Sequence, residues 1–173
     1  YPTGTDNVAL GDTALDSVQA GGTDNTAIGN HAGTAITTGD RNTAVGSLSL
    51  EANTTGLYNT AIGYSSLKTN ITGAGNTGLG YRSLELTTAS NNTALGYEAG
   101  AATAGGGSNT AVGKSALCKN TSGSRKTAVG LQSLCANTTA NANTAIGHSA
   151  LTSNTTGTRN VAVGCGALVS NVN

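Results

Sequence analysis

A chain of 173 residues and 16.8 kDa is long enough for one domain, and its eight Lys and Arg balance eight Asp and Glu, so bulk charge gives no pull towards nucleic acid. Only 9% of residues are charged and 3% aromatic, Phe, Trp and Met are absent, and Leu, Val and Ile number 29, about 17%, which excludes a conventional hydrophobic core. Disorder driven by net charge is excluded as well, leaving low-complexity coil or order achieved by repetition.

Repetition is present along nearly the whole length. Asn-Thr-Ala-(Ile/Val/Leu)-Gly recurs in ten variants, with anchor glycines at Gly11, Gly29, Gly46, Gly63, Gly80, Gly96, Gly113, Gly130, Gly147 and Gly164. The steps are 17 residues, apart from one of 18 (Gly11 to Gly29) and one of 16 (Gly80 to Gly96). In chain order each unit predicts a short strand such as Asn25-Thr26-Ala27-Ile28, with Thr26 and Ile28 on one face and Ala27 on the other. The anchor glycine follows, where the backbone turns or passes close to a neighbour. A second short extended piece carries the Leu found four residues later in eight units (Leu15, Leu50, Leu67, Leu84, Leu117, Leu134, Leu151, Leu168), with Gly33 and Gly100 in the other two. An Asn-Thr-Thr-Gly type stretch closes the unit as a turn. Such a unit is too short for the helix pairs of α-solenoids and fits one β-coil, so residues 1–173 read as a single all-β domain, a parallel β-roll or β-solenoid of about ten coils. At ~4.8 Å per coil the rod is about 48 Å long.

The first strand has bulky aliphatics on one face and a uniformly small residue on the other, so neither face is built to meet water. The small column (Ala27, Ala44, Ala61, Ala94, Ala111, Ala128, Ala145 and Ala162, with Gly78 as the exception) reads as the place where subunits approach each other, around an oligomer axis. Asn25-Thr26-Ala27-Ile28-Gly29 and Asn143-Thr144-Ala145-Ile146-Gly147 resemble the YadA-like head repeats of trimeric autotransporter adhesins and the related repeats of phage and viral tail fibres. The resemblance implies a left-handed, trimeric β-roll serving as a surface fibre or adhesive head, outside the cell or on a virion.

One position after the anchor, Tyr64, Tyr81 and Tyr97 stand in three successive coils and predict an aromatic ladder, either a patch for a host glycan or protein or a device that fastens coils together. Cys118 and Cys135 are 17 residues apart and share a column, within reach of a disulfide; parallel in-register geometry is not ideal for that bond, so the expectation is free, partly buried thiols. Cys165 lies in the tyrosine column without an evident partner, and His31 and His148 are about seven coils apart, too far to act together. No cofactor or metal is indicated: cysteines lack zinc spacing, aspartates do not recur at the interval of calcium rolls, and no catalytic motif is present, so no enzyme is expected. Sequons at Asn53, Asn70, Asn91, Asn120, Asn137 and Asn154 coincide with the turn residues of the repeat. Apolar runs of about four residues fall far short of the ~20 that a spanning helix needs, so this segment does not insert into a membrane.

Charge is segregated. Residues 1–98 hold all eight acids and three bases, whereas residues 99–173 hold five bases and no acid, giving −5 and +5. A rod so polarised invites head-to-tail contact between copies, set against a surface that merely drifts in composition. The functional expectation is a structural and adhesive fibre segment that spaces or displays binding surfaces, with itself and a host-surface glycan or protein as partners. The alternatives are a module whose Thr columns (Thr54, Thr55, Thr121, Thr138, Thr139, Thr155, Thr156) meet a periodic target such as ice or polysaccharide, and a self-assembling extracellular filament subunit.

Overall fold

The structure, a computed structural model, describes residues 4–171. Ten three-residue strands follow one another: β1 (Val8–Leu10), β2 (Thr26–Ile28), β3 (Thr43–Val45), β4 (Thr60–Ile62), β5 (Thr77–Leu79), β6 (Thr93–Leu95), β7 (Thr110–Val112), β8 (Thr127–Val129), β9 (Thr144–Ile146) and β10 (Val161–Val163). Each pairs in parallel with the next, so sheet order equals chain order and the chain is a β-solenoid. Like residues stack on like: Thr43 on Thr60, Ala44 on Ala61, Val45 on Ile62. The long and short units keep this register, since Val8 still pairs with Thr26 and Thr77 with Thr93. Their length differences fall between the residue seven after the anchor and the closing turn, as Val18 to Gly22, Asn53 to Gly56 and Thr87 to Ala89 show.

The anchor glycines are obligatory for a local reason. They hold φ between +119° and +135°, and a Cβ on Gly29 would sit 2.7 Å from the Gly46 carbonyl carbon, on Gly80 2.5 Å from the Gly96 oxygen. Coil stacks on coil through bare backbone at that column.

The second half of each coil differs from the expected extended piece. It is a run of tight turns in which Leu15, Leu50, Leu67, Leu84, Leu117, Leu134 and Leu151 adopt φ between 49° and 55°, the left-handed region. A left-handed L-residue costs about 1–2 kcal/mol, whereas fully burying a leucine side chain gains roughly 1.5–3 kcal/mol. Burial wins, and these seven leucines are at most 1% exposed. Backbone bonds still run from coil to coil here, as from the Leu50 N–H to the Ser66 carbonyl (3.1 Å).

The alanine column is corrected by the same packing. Ala27, Ala44, Ala61, Ala94, Ala111, Ala128, Ala145 and Ala162 are buried inside the single chain. They face the leucine column, so they cannot be the surface on which subunits meet. Alanine is small there because a 17-residue coil has room for one leucine and little else; a Cβ on Gly33 would lie 3.2 Å from a Leu15 methyl and 3.7 Å from the Ala27 Cβ.

Much of the rest of the interior is polar. Seven of the asparagines that precede strands (Asn25, Asn42, Asn59, Asn76, Asn92, Asn109 and Asn143) are buried, and their side chains join adjacent coils. Asn25 Oδ1 accepts from the Asn42 N–H (2.9 Å), Asn42 Oδ1 from the Asn59 N–H (3.0 Å), and Asn59 Oδ1 from the Asn76 N–H (3.0 Å). The Nδ2 of each donates to the carbonyl of the closing turn, Asn42 to Gly56 and Asn59 to Gly73, both at 2.8 Å. This ladder satisfies backbone N–H groups that no strand reaches.

Candidate interaction surface

Because the small middle residue of strands β2 to β10, Ala or in β5 Gly78, points inward, its neighbours point out. One row consists of Leu10, Ile28, Val45, Ile62, Leu79, Leu95, Val112, Val129, Ile146 and Val163, and it forms an apolar ridge along the whole stack. Seven of the ten are 37–68% exposed. Two residues back along each strand runs a parallel row, Thr26, Thr43, Thr60, Thr77, Thr93, Thr110, Thr127 and Thr144, partly to fully exposed on the same face. Composition shows these aliphatics, yet only the inward turn of Ala frees them to face solvent.

Tyr64, Tyr81 and Tyr97 come together as the sequence predicts. Their rings stack at centroid distances of 5.5 and 5.0 Å with interplanar angles of 14° and 12°. The Lys114 ammonium caps the far side of Tyr97, 5.6 Å from the ring centroid. Stacked in this way the rings cover one another's faces and leave mainly edges and hydroxyls to solvent, so sugar rings find few free faces to stack on. The ladder fastens three coils, and Lys114 extends it to a fourth.

The same column continues through Leu131 to His148 and Cys165, whose Nδ1 and Sγ lie 3.6 Å apart on the exposed surface. Their 17-residue separation is the signal that pairs them. His31 is remote from both, seven strands from His148 and eight from Cys165 along the stack. Among the described residues no group of three or more His, Cys, Asp or Glu is placed to hold a metal. Cys118 and Cys135, expected as free thiols, are joined in a disulfide across adjacent coils with their Cα atoms 4.9 Å apart. One coil spacing is within the span the bond requires.

The turn threonines lie on bends rather than on a flat face, and several are tied to the next coil: Thr54 Oγ1 donates to the Ile71 carbonyl and Thr121 Oγ1 to the Thr138 carbonyl, both at 3.2 Å. The flat threonine array belongs to the strands instead. Five of the six sequon asparagines (Asn53, Asn70, Asn120, Asn137, Asn154) are buried in a second interior column, which leaves Asn91 as the exposed one.

Charges follow the segregation read from the sequence. The three bases of the acidic part all find acids: Arg41 pairs with Asp24 (3.6 Å), Lys68 with Glu51 (3.5 Å), and Arg82 with Glu85 (2.7 Å) and Glu98 (3.4 Å). The hydrogen bond to Glu85, then its charge, raises the Arg82 pKa further above its ordinary value. Beyond Glu98 there is no acid to pair with, so Lys114, Lys119, Arg125 and Arg159 carry net positive charge along that end.

Lys126 breaks the asparagine ladder. It occupies the asparagine position between Asn109 and Asn143, is 1% exposed, and turns its Nζ onto Asn120 Oδ1 at 2.7 Å. Its own N–H still donates the ladder bond to Asn109 Oδ1 (3.1 Å), but a lysine side chain has no acceptor to offer the Asn143 N–H. Burial lowers its pKa from the ordinary 10.5 to about 7. In the sequence Lys126 merely stands where other units carry asparagine, in Lys126-Thr127-Ala128-Val129-Gly130, and that spacing does not show that the amine is enclosed.

No protein-family model, characterised protein or solved structure matches the chain.

Proposed function

We propose that the chain is a structural and adhesive fibre segment, exposed on a cell or virion surface, in which copies assemble side by side into a trimer and hold binding surfaces away from their anchor. The observation that carries the reading is the apolar ridge from Leu10 to Val163, one aliphatic per coil without interruption. A continuous apolar strip on the flat face of a rod is a surface that association would cover. Threefold closure comes from the resemblance of the Asn-Thr-Ala-Ile-Gly units to adhesin head repeats. Repetition supports a mechanical role: each coil touches only its neighbours, and weak side-chain contacts repeated along the rod add by avidity when a host glycan or protein is met. The reading assigns no catalysis and no cofactor.

Sedimentation equilibrium tests the reading. The chain sediments at three times 16.8 kDa, and placing lysine on the ridge (Ile62→Lys with Leu79→Lys) returns it to one copy with unchanged circular dichroism. A wild-type chain that stays monomeric at all concentrations overturns the trimer. Failure of immobilised trimers to retain any cell-surface glycan or protein removes the adhesive part.

The strand threonines favour a second reading, a module for a periodic target. Eight threonines in register at ~4.8 Å on a flat face form a regular hydroxyl array. Thermal hysteresis in the monomeric ridge variant supports it for ice, and its absence discards that version.

A further inference from the structure

The stack sorts the six Asn-X-Ser/Thr sequons into two kinds. Asn53, Asn70, Asn120, Asn137 and Asn154 each stand seven residues after an anchor glycine, in a column that faces the interior, and all five are 0% exposed. In three of them the amide nitrogen, the atom that a sugar would join, is already engaged: Asn70 Nδ2 donates to the Gly73 carbonyl (2.9 Å), Asn120 Nδ2 to Gly123 (2.9 Å) and Asn154 Nδ2 to Gly157 (3.0 Å). Coils ~4.8 Å apart leave no room for a sugar beside any of these side chains. Asn91 belongs to a different column. It stands five residues before Gly96, in the turn that enters β6, with a φ of 63° that asparagine tolerates. Its N–H donates to the Ala74 carbonyl (3.0 Å) and fixes the backbone, while its side chain is exposed and hydrogen-bonds to none of the described residues. Alternation puts Thr93, the hydroxyl residue of the sequon, on the outer face with Asn91 and turns Asn92 inward between them. The column neighbours are small: Gly75 in the preceding coil, where a Cβ would meet Asn91 Oδ1 at 2.9 Å, and Ser108 in the next. Elsewhere the same column carries Arg41, Tyr58 and Arg125, side chains that would crowd a sugar.

We propose that Asn91 is a site of N-glycosylation on the folded chain, the one sequon of the six that the stack leaves open to a transferase. The co-substrate is a glycosyl diphosphate, either a nucleotide sugar or an oligosaccharide carried on a lipid diphosphate. Asn91 Nδ2 forms a bond to the anomeric carbon, the bond from that carbon to the diphosphate oxygen breaks, and the proton lost from the amide goes to the departing diphosphate. Thr93 supplies the hydroxyl that defines the acceptor motif, on the same face as the amide. The order of events follows from the packing. A sugar joined to any of the five interior asparagines before the coils stack would have to be enclosed, so it would block stacking, and modification compatible with the fold comes after folding. The glycan then stands at β6, the sixth of ten coils, two residues from the threonine row. The site is independent of the adhesive reading, since it needs only the folded coil and a glycosyl donor.

The test incubates the intact folded chain with two enzymes, a soluble N-glycosyltransferase supplied with UDP-glucose and an oligosaccharyltransferase supplied with a lipid-linked oligosaccharide. Both enzymes are first shown to modify a peptide of residues 88–95, so that only the fold decides the outcome. The Ile62→Lys, Leu79→Lys variant is treated in parallel, which keeps side-by-side assembly from masking the site. The expected result, read by intact mass and peptide mapping, is one sugar addition per chain, located on Asn91. Modification by the first enzyme assigns a nucleotide-sugar donor, and modification by the second a lipid-linked one. Asn91→Gln and Thr93→Ala each abolish the addition; both side chains are exposed, so the coil is retained in circular dichroism. Chains left unmodified by both enzymes, in wild type and variant alike, overturn the inference. So does a sugar on Asn53, Asn70, Asn120, Asn137 or Asn154 of the folded chain, or an addition that persists in Asn91→Gln.

Discussion

Lys126→Asn restores the one missing rung of the asparagine ladder, and the sign of its effect follows from the geometry. Lys126 is enclosed with Asn120 Oδ1 as its polar contact and no carboxylate anywhere after Glu98. Burial brings its pKa from 10.5 in the ordinary state to about 7 in the folded chain. Between those two values the unfolded chain holds a proton that the folded chain has released, so stability rises with pH across that window and is flat outside it. The difference amounts to on the order of 5 kcal/mol between pH 7 and pH 10.5. Below pH 7 the amine is charged in both states and the full penalty for enclosing it applies. Asparagine removes the penalty, lets Oδ1 accept from the Asn143 N–H, and gives Nδ2 the Ala140 carbonyl that the repeat places in the turn. Each net hydrogen bond adds about 1 kcal/mol. Urea denaturation of wild type and Lys126→Asn at pH 6, 8 and 10 measures this, since subtracting the two curves cancels every other titrating group. The variant is expected to be more stable by several kcal/mol at pH 6, with the gap closing towards pH 10. Parallel pH profiles for the two proteins would refute an enclosed amine at this position.

Gly33→Leu puts the column leucine into the coil that lacks it, but a Cβ there already lies 2.9 Å from Ile36 Cδ1, so overpacking costs about 1–3 kcal/mol. Adding Ile36→Asn rebuilds the common coil and recovers the loss in urea melts; a single variant as stable as wild type shows that Ile36 does not fill the space left by Gly33. Cys118→Ser with Cys135→Ser opens a 17-residue loop in the denatured chain and is expected to cost roughly 3 kcal/mol, read as a lower urea midpoint than the oxidised wild type. Intact-mass analysis of the unreduced chain, which loses two hydrogens when the bond is present, checks the pairing directly.

The sequence by itself determined the coil, its period, the parallel register and the columns that stack, because a repeat that cannot close a core alone must place like residues over like. It also determined the tyrosine ladder and the segregation of charge, since both follow from position modulo the repeat. Which way each column faces was decided by tertiary structure. Alternation along Thr26-Ala27-Ile28 separates Ala from its neighbours but does not say which side is inside, and only the volume enclosed by the coil puts Ala27 in and Ile28 out. The leucine segment reads as extended in the sequence because left-handed leucine is locally unfavourable, and its turn conformation is stabilised only by the burial that stacking provides. Asparagine was legible as a turn former, yet its place in a buried ladder required the next coil's N–H and the closing carbonyl to be within reach. The same holds for Lys126: a lysine in an asparagine column is only a spacing until the stack encloses it and brings Asn120 to its amine.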